Sequence, residues 1–148
     1  MAERDVQGVK SVIEQYLESY RRRDIDLLGK VMATDERFVA YGTDKDESWH
    51  GWESFHRVTG KLFDALEEVH WKRGETSVNF SQDGNVAWFA EELTGDFVIG
   101  GQRHHCPFRF TGIAERRKGK WVIVQFHRSM PTKEYAVPYL ETHGVRFD

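Results

Sequence analysis

The sequence has little cysteine, little proline and no long apolar run. Its 148 residues include a single cysteine, Cys106, so the chain cannot form an internal disulfide and gives no sign of an oxidising compartment. No stretch approaches the ~18 apolar residues that cross a bilayer. The opening residues Met-Ala-Glu-Arg-Asp-Val also lack the basic start and apolar run of a secretion signal. We therefore expect a cytoplasmic protein without a membrane partner.

An excess of charge of one sign is also lacking. The chain has 21 Lys and Arg residues against 24 Asp and Glu residues, a formal charge of -3. Without a basic excess to neutralise phosphates, we expect no nucleic-acid partner. The basic run Arg21-Arg22-Arg23 fits the end of a helix, where the macrodipole favours cations. With 39% hydrophobic and 30% charged residues, the composition indicates one globular domain.

Helical periodicity dominates the first half of the chain. Apolar residues recur every three or four positions over 5–23, which predicts an amphipathic helix with Asp5 as its N-cap. Asp24 can cap a second, shorter helix. Residues 38–42 predict a short strand followed by a loop, and a third apolar stripe starts at Trp52. The opening order is therefore two helices, a strand and a helix.

Long runs rich in β-forming residues fill the second half. The predicted strands are Val69 to Phe80, Val86 to Ile99, His104 to Arg116 and Trp121 to Met130. Short glycine-containing connections between them are typical of antiparallel hairpins. Helices followed by strands give an α+β order, since parallel strands would need a helix between them. We expect three N-terminal helices packed on a curved, mainly antiparallel sheet that leaves a pocket at its open end.

Several local sequences follow one another in a recognisable order. They are Arg23-Asp24-Ile25-Asp26-Leu27-Leu28, His50-Gly51-Trp52, Gly84-Asn85-Val86-Ala87-Trp88-Phe89, Phe110-Thr111-Gly112, and the final run from Lys118 to Pro131. Together they resemble the nuclear transport factor 2-like superfamily, particularly its SnoaL-like and ketosteroid-isomerase-like branch. The resemblance covers most of the chain. It implies a cone-shaped, barrel-like fold with a ligand pocket between sheet and helices, commonly assembled as a homodimer.

The same resemblance suggests how the chain divides and which activities to consider. Residues 1–131 would form the SnoaL-like domain, and 132–148 a C-terminal tail that packs on the domain or on a dimer partner. The superfamily includes isomerases, dehydratases and cyclases, and also members that only bind ligands or organise other domains. The isomerase branch needs a carboxylate base near the loop before the third helix. That loop offers Asp44, Asp46 and Glu47, but the expected carboxylate pattern is not reproduced.

Strand alternation supplies a candidate catalytic group. In the last strand it places Gln125, His127 and Ser129 on one face together with Trp121 and Ile123. If this face meets the polar faces of the two preceding strands, Glu92, Arg109 and His127 form a buried acid, cation and imidazole group. Arginine would fix a ligand carboxylate or compensate the glutamate, and histidine would move a proton. The alternative is a structural Glu–Arg pair beside a hydrogen-bonded histidine, and one bulge would reverse the facing.

Aromatic residues with a polar edge, and polar residues on the predicted pocket face, are candidates for ligand contact. They are Tyr16, Tyr20, Tyr41, Trp49, Trp71, Trp88, Thr111, Gln125 and Ser129. The predicted partner is a small apolar molecule with a carbonyl or carboxylate group. The predicted chemistry is cofactor-independent proton transfer by an isomerase, dehydratase or cyclase. We expect no metal site, because alternation points His104 and Cys106 one way and His105 the other.

A second interpretation makes the domain non-catalytic. The chain would then be a homodimeric ligand-binding or scaffold domain. Its contact surface would be the sheet face opposite the predicted pocket, whose exposed apolar area would be unusually large for a monomer. That face carries Phe108, Phe110, Val122, Val124 and Phe126. In the tail, Tyr135, Tyr139 and Phe147 could pack across a subunit boundary or fray.

Overall fold

The computed structural model describes residues 4–132 and 136–146. Three helices precede the long strands: α1 (Val6–Arg22), α2 (Ile25–Val31) and α3 (Trp52–Ala65). Two short strands, β1 (Val39–Tyr41) and β2 (Ser48–His50), lie between α2 and α3. The remaining elements are β3 (Leu66–Phe80), β4 (Val86–Ile99), β5 (Gln102–Arg117), β6 (Lys120–Ser129) and α4 (Ala136–Thr142).

The two predicted N-caps are confirmed. The Asp5 carboxylate accepts a hydrogen bond from the Gly8 backbone N–H at 2.9 Å, and the Asp24 carboxylate accepts one from the Leu27 N–H at 3.0 Å. Each satisfies a donor that the first helical turn leaves open, which is typically worth about 1 kcal/mol. The caps therefore fix where α1 and α2 begin.

The sheet has six strands in the order β2-β1-β6-β5-β4-β3. The β1–β6 pair is parallel and the other pairs are antiparallel. Gly100 and Gly101 close the β4–β5 hairpin with φ of 57° and 77°, a backbone region that side chains disfavour. The predicted α+β fold, with N-terminal helices packed on a curved, mainly antiparallel sheet, is confirmed. β2 was not predicted, because three residues carry too little pattern.

Helices α1 to α3 pack on one face of the sheet, here called the inner face. α1 packs against β3 and β6, and its Tyr16 ring stacks on Phe110 at a centroid distance of 4.9 Å. Phe126 is fully buried in the same layer. Burying such phenylalanines removes large apolar areas from water, and truncating one typically costs 3–5 kcal/mol. The opposite face, here called the outer face, is open and carries Trp88, which is 48% exposed.

A β-bulge in β6 reverses the facing that alternation predicted for its second half. Ala114 pairs with Ile123 and Ile113 with Gln125, so Val124 is an extra residue in β6. Trp121 and Ile123 are buried on the inner face, whereas Gln125 and His127 are exposed. The prediction that these four residues and Ser129 share one face is therefore wrong.

The predicted scaffold surface is also wrong. Phe108, Phe110 and Phe126 belong to the core, because the helices cover the face that was expected to be open. Val122 and Val124 are half-buried.

The C-terminal segment is described from 136 to 146. It contains α4, where Tyr139 is exposed. Tyr135 and Phe147, which were expected to pack or fray, lie outside the described residues. The division of the chain at 131 stays a prediction. No helix in the described ranges is long and apolar enough to cross a membrane.

Candidate functional site

A cavity of about 260 Å³ opens between α1, α3, the β1–β2 loop and the inner face of the sheet. Its apolar wall consists of Tyr20, Leu62, Leu66, Phe97, Ile99 and Phe108. Its polar lining consists of Thr43, Asp44, Glu47, His104, Cys106 and Arg128. Because a mainly apolar cavity with a few polar groups is the usual form of a small-molecule site, we take this space, the Arg128 cavity, as the candidate site.

Arg128 reaches the cavity because the bulge at Val124 turns it to the inner face. Its side chain is 11% exposed, and its guanidinium carbon lies 5.5 Å from the ring centre of Tyr20 and 5.2 Å from that of Phe126. Nη1 lies 3.5 Å from the Tyr20 hydroxyl, and Nη2 lies 3.6 Å from Oε2 of Glu47. Nε is buried without a hydrogen-bond partner in the described part of the chain. Arg128 therefore has donor capacity left for a ligand oxygen.

The surroundings of Arg128 keep it charged. Burial alone would lower the pKa of the guanidinium, but the phenol oxygens of Tyr16 and Tyr20 and the carboxylate of Glu47 outweigh burial and raise that pKa. Burial in turn raises the pKa of Tyr16 well above its usual value, so this hydroxyl stays neutral. Within the described residues the Tyr16 hydroxyl has no partner of ordinary hydrogen-bond geometry. The cavity is therefore lined by a fixed cation at Arg128, and the neutral Tyr16 hydroxyl lies in the core near that cation.

Glu47 is held beside Arg128 by the tight loop between β1 and β2. The Gly42 N–H donates to the Glu47 carbonyl at 2.8 Å, and the Glu47 N–H donates to the Asp44 carbonyl at 3.0 Å. A side chain at position 42 would collide with the Glu47 carboxylate, so glycine leaves the space into which Glu47 folds. Asp44 and Glu47 both line the cavity. The cavity is therefore lined by two carboxylates, of which that of Glu47 lies 3.6 Å from the Arg128 guanidinium.

Cys106 also lines the cavity. Burial raises the pKa of its thiol, and the negative charges of Asp96 and Asp44 raise it further. Because the thiolate is the reactive form, this environment disfavours nucleophilic chemistry at the sulfur. The groups with clear chemical capacity are therefore the guanidinium, as a donor to oxygen, and the carboxylates, as proton acceptors.

The predicted catalytic residues Glu92, Arg109 and His127 share one face, but it is the exposed outer face. Arg109 Nε donates to Glu92 Oε1 at 3.3 Å, and their side chains are 58% and 78% exposed. His127 follows on β6, where its ring lies 5.8 Å from that of Tyr41. The predicted burial of this group is therefore wrong. The helices cover the opposite face of β4 and β5, where Phe108 and Phe110 are buried, and the bulge at Val124 places His127 on the outer face. The catalytic role of the three residues stays a prediction.

The predicted ligand-binding residues divide between the two faces. On the inner side, Tyr20 lines the cavity, Trp71 donates from Nε1 to the Leu17 carbonyl at 2.9 Å, and Trp49 packs on Phe55 at 5.2 Å. Tyr16 is buried in the same layer. The residues on the outer face are Tyr41, Trp88, Thr111, Gln125 and Ser129. The predicted ligand-binding residues therefore do not form one site.

Sequence reasoning missed Arg128 and Glu47 as members of the site. Strict alternation puts Arg128, the residue after His127, on the face away from the predicted pocket, and Glu47 was noted only as a loop acid. One signal was present: Val122, Ile123 and Val124 are consecutive apolar residues that break strict alternation, as a bulge can. The loop gave no comparable signal, because side-chain direction in a loop depends on its exact turn geometry.

Metal-ligating residues do not converge in the described part of the chain. No group of three or more His, Cys, Asp or Glu side chains there is arranged to hold an ion. His104 and Cys106 line the cavity, whereas His105 Nδ1 lies 2.9 Å from Asp96 Oδ1 in an exposed pair. The divergence of these neighbouring side chains follows strand alternation.

Comparison with known proteins identifies relatives of this fold. The family model for the SnoaL-like domain matches residues 9–133. None of the curated proteins matches the chain significantly. Among solved structures, a nuclear transport factor 2-like superfamily protein from Salmonella enterica has 19% identity, with 86% of this chain and 92% of that chain covered and a TM-score of 0.77.

Two further structures carry activity names. A protein of the same superfamily from Streptomyces avermitilis, proposed to be a dehydratase, has 15% identity, coverage of 86% and 96%, and a TM-score of 0.78. A Novosphingobium aromaticivorans protein, proposed to be an aromatic ring hydroxylase, has 14% identity, coverage of 86% and 90%, and a TM-score of 0.77. At such identities the likeness establishes the fold and leaves the activity to be argued from the site.

Proposed function

Because the chain belongs to the SnoaL-like domain family, we propose that its Arg128 cavity binds a small apolar molecule carrying a carbonyl or carboxylate group. The observation behind this proposal is the buried guanidinium of Arg128, which lines a mainly apolar cavity and whose Nε has no hydrogen-bond partner among the described residues. A ligand oxygen would satisfy donors that otherwise carry a desolvation cost. The activity names of the Streptomyces and Novosphingobium proteins support small-molecule chemistry in this fold.

The size and wall of the cavity favour a ligand of about one ring. A volume near 260 Å³ lies just below the usual range for drug-sized ligands. Phe97 and Phe108, whose ring centres are 6.0 Å apart in an edge arrangement, offer apolar contact on one side. Leu62 and Leu66 supply apolar contact from α3 and the start of β3. The ligand oxygen would lie toward Arg128 and the hydrocarbon part toward these residues.

Proton transfer is the chemistry that this arrangement favours. With a carbonyl oxygen hydrogen-bonded to Arg128, a carboxylate of Asp44 or Glu47 can take a proton from the adjacent carbon. The guanidinium then stabilises the enolate oxygen, and the proton returns to the ligand at another position or leaves with a hydroxyl group as water. Isomerisation, dehydration and cyclisation all begin with such a step, which uses side chains of this chain alone.

The proposal is tested with a matched pair of arginine variants. Aromatic ketones and aromatic acids are screened by thermal shift against the wild type, Arg128→Gln and Arg109→Gln. A ligand at about 100 times its Kd stabilises the native state by about 2.7 kcal/mol, which raises Tm by roughly 5–10 °C in a chain of this length. We expect Arg109→Gln to keep this rise and Arg128→Gln to lose most of it.

Two outcomes would contradict the proposal. Loss of the thermal shift in Arg109→Gln but not in Arg128→Gln would move the binding site to the outer face. An unchanged shift in both variants would show that neither arginine holds the ligand. Arg128→Lys, which keeps the charge but not the planar fork of donors, serves if Arg128→Gln does not fold.

A second candidate function is self-association through the outer face. Trp88 is exposed there and, together with Thr111, Gln125 and His127, lines an open pocket of about 440 Å³. An exposed tryptophan beside a concave surface is typical of a protein contact. In this second candidate function the protein is a homodimer, whether it binds a ligand or serves as a scaffold.

A further inference from the structure

We propose that Glu47 determines the charge of the ligand, so that the Arg128 cavity selects neutral carbonyl compounds over carboxylates of the same shape. The inference rests on the proposed function, because it concerns the same cavity. It narrows the ligand class from carbonyl or carboxylate compounds to uncharged ketones, aldehydes and esters.

The charge balance of the cavity carries the inference. Among the described residues, its lining contains one guanidinium, from Arg128, two carboxylates, from Asp44 and Glu47, and the imidazole of His104. An anionic ligand would therefore bring a third negative charge into a partly buried space that holds a single arginine or lysine charge. Like charges a few ångströms apart in such a space repel by several kcal/mol before solvent relaxation. A neutral ligand avoids this repulsion.

The position of Glu47 makes it the decisive carboxylate. Its Oε2 lies 3.6 Å from Nη2 of Arg128, and its side chain is 32% exposed, so water screens the pair only in part. The backbone hydrogen bond from Gly42 to the Glu47 carbonyl holds this residue at the strand end. Glu47 therefore compensates Arg128 before any ligand arrives.

A neutral carbonyl group can bind without breaking this pair. A guanidinium has five N–H donors, and the contacts of Arg128 with Tyr20 and Glu47 use the two terminal nitrogens at long distances. A carbonyl oxygen needs one or two of the remaining donors. A carboxylate gains most from a guanidinium through charge attraction, and Glu47 already offsets part of the Arg128 charge from 3.6 Å. The geometry therefore favours the uncharged ligand.

The test uses acetophenone and benzoate, which have the same planar shape and number of non-hydrogen atoms but differ by one charge. Dissociation constants for both probes are measured by NMR titration on the wild type, Glu47→Gln and Asp46→Asn. Glu47→Gln removes the charge and keeps the side-chain shape. Asp46→Asn removes one charge from the same loop at an exposed residue outside the cavity lining, which makes it the matched control.

We expect the wild type to bind acetophenone more tightly than benzoate. Removing one close charge should strengthen benzoate binding to Glu47→Gln by about tenfold and change acetophenone binding by less than about threefold. Asp46→Asn should retain the wild-type ratio of the two constants. If Glu47→Gln does not fold, Asp44→Asn tests the same charge balance and should shift the ratio in the same direction.

Each other result overturns a defined part of the argument. Equal binding of the two probes to the wild type, or an unchanged ratio in Glu47→Gln, overturns the selection by Glu47 and leaves the cavity as a binding site. An equal shift in Asp46→Asn would show a general effect of net charge and would also overturn it. Failure of both probes to bind any of the proteins overturns the proposed function as well.

Discussion

Glu91 lies on the inner face of β4 with its side chain fully covered. Its Oε1 accepts hydrogen bonds from Arg73 Nη2 at 2.7 Å and from the Thr76 hydroxyl at 2.6 Å, and its Oε2 accepts one from Arg73 Nε at 3.0 Å. The hydrogen bond to Glu91 raises the pKa of Arg73. Arg73 is 33% exposed, so only one end of this pair is deeply buried. Removal of Arg73 therefore leaves a buried carboxylate, whereas removal of the Glu91 charge leaves an arginine that can reach solvent.

We predict that Arg73→Met destabilises the protein more than Glu91→Gln. The first change leaves a buried carboxylate without its cation, which typically costs 3–5 kcal/mol. The second leaves an arginine that can turn to water, and we expect a cost of about 2 kcal/mol. Urea unfolding midpoints measure both differences. Arg109→Met, in the exposed pair with Glu92, is the control and should cost no more than about 1 kcal/mol.

Strand β5 lies near the centre of the sheet, and its Gly112 packs tightly against Phe89. A Cβ at Gly112 would lie 2.5 Å from a ring carbon of Phe89 and 2.6 Å from the Gln125 carbonyl oxygen. The Phe89 ring occupies the space that a side chain would need, and Gly112 pairs with both neighbouring strands. The absence of a side chain at this position lets the phenylalanine layer close over the strand.

We predict that Gly112→Ala lowers the free energy of unfolding by about 1–3 kcal/mol, because the added methyl group overpacks the layer. Gly60→Ala is the matched control. No atom lies within 4 Å of a Cβ at position 60, and the residue is inside α3. There alanine should stabilise the helix by roughly 0.5–1 kcal/mol. Thermal unfolding should therefore show opposite shifts in Tm, and shifts of the same sign would contradict the packing argument.

Most of the helices and strands could be predicted from the sequence. Helices α1 to α3 and strands β3 to β6 were predictable, because periodicity, caps and hairpin glycines agreed with one another. The facing of β6 was not, because the extra residue at Val124 is decided by packing against β5. Because of this bulge, His127 lies on the outer face and Arg128 lines the cavity. The alternation of side chains along a strand therefore predicts which face of the sheet each residue occupies only as far as the first bulge.

The sheet separates two surfaces of different character. Its inner side carries the Arg128 cavity, and its outer side carries Trp88 and the exposed Arg109–Glu92 pair. A single layer of strands lies between them. Because Arg128 pairs with Glu47 whereas Arg109 pairs with Glu92, changes at these two arginines should have nearly additive effects.

This separation allows the self-association candidate to be tested without disturbing the cavity. We predict that the wild type sediments at twice the chain mass of 17.3 kDa and that Trp88→Lys sediments at the chain mass. A buried lysine at the centre of the contact would cost more than the contact gains. Val58→Lys, which changes an exposed apolar residue on α3 instead, should keep the wild-type mass. The thermal shift produced by cavity ligands should persist in Trp88→Lys, since Arg128 faces away from position 88. A wild type that sediments at the chain mass would contradict self-association, and a Trp88→Lys variant that remains associated would place the subunit contact elsewhere.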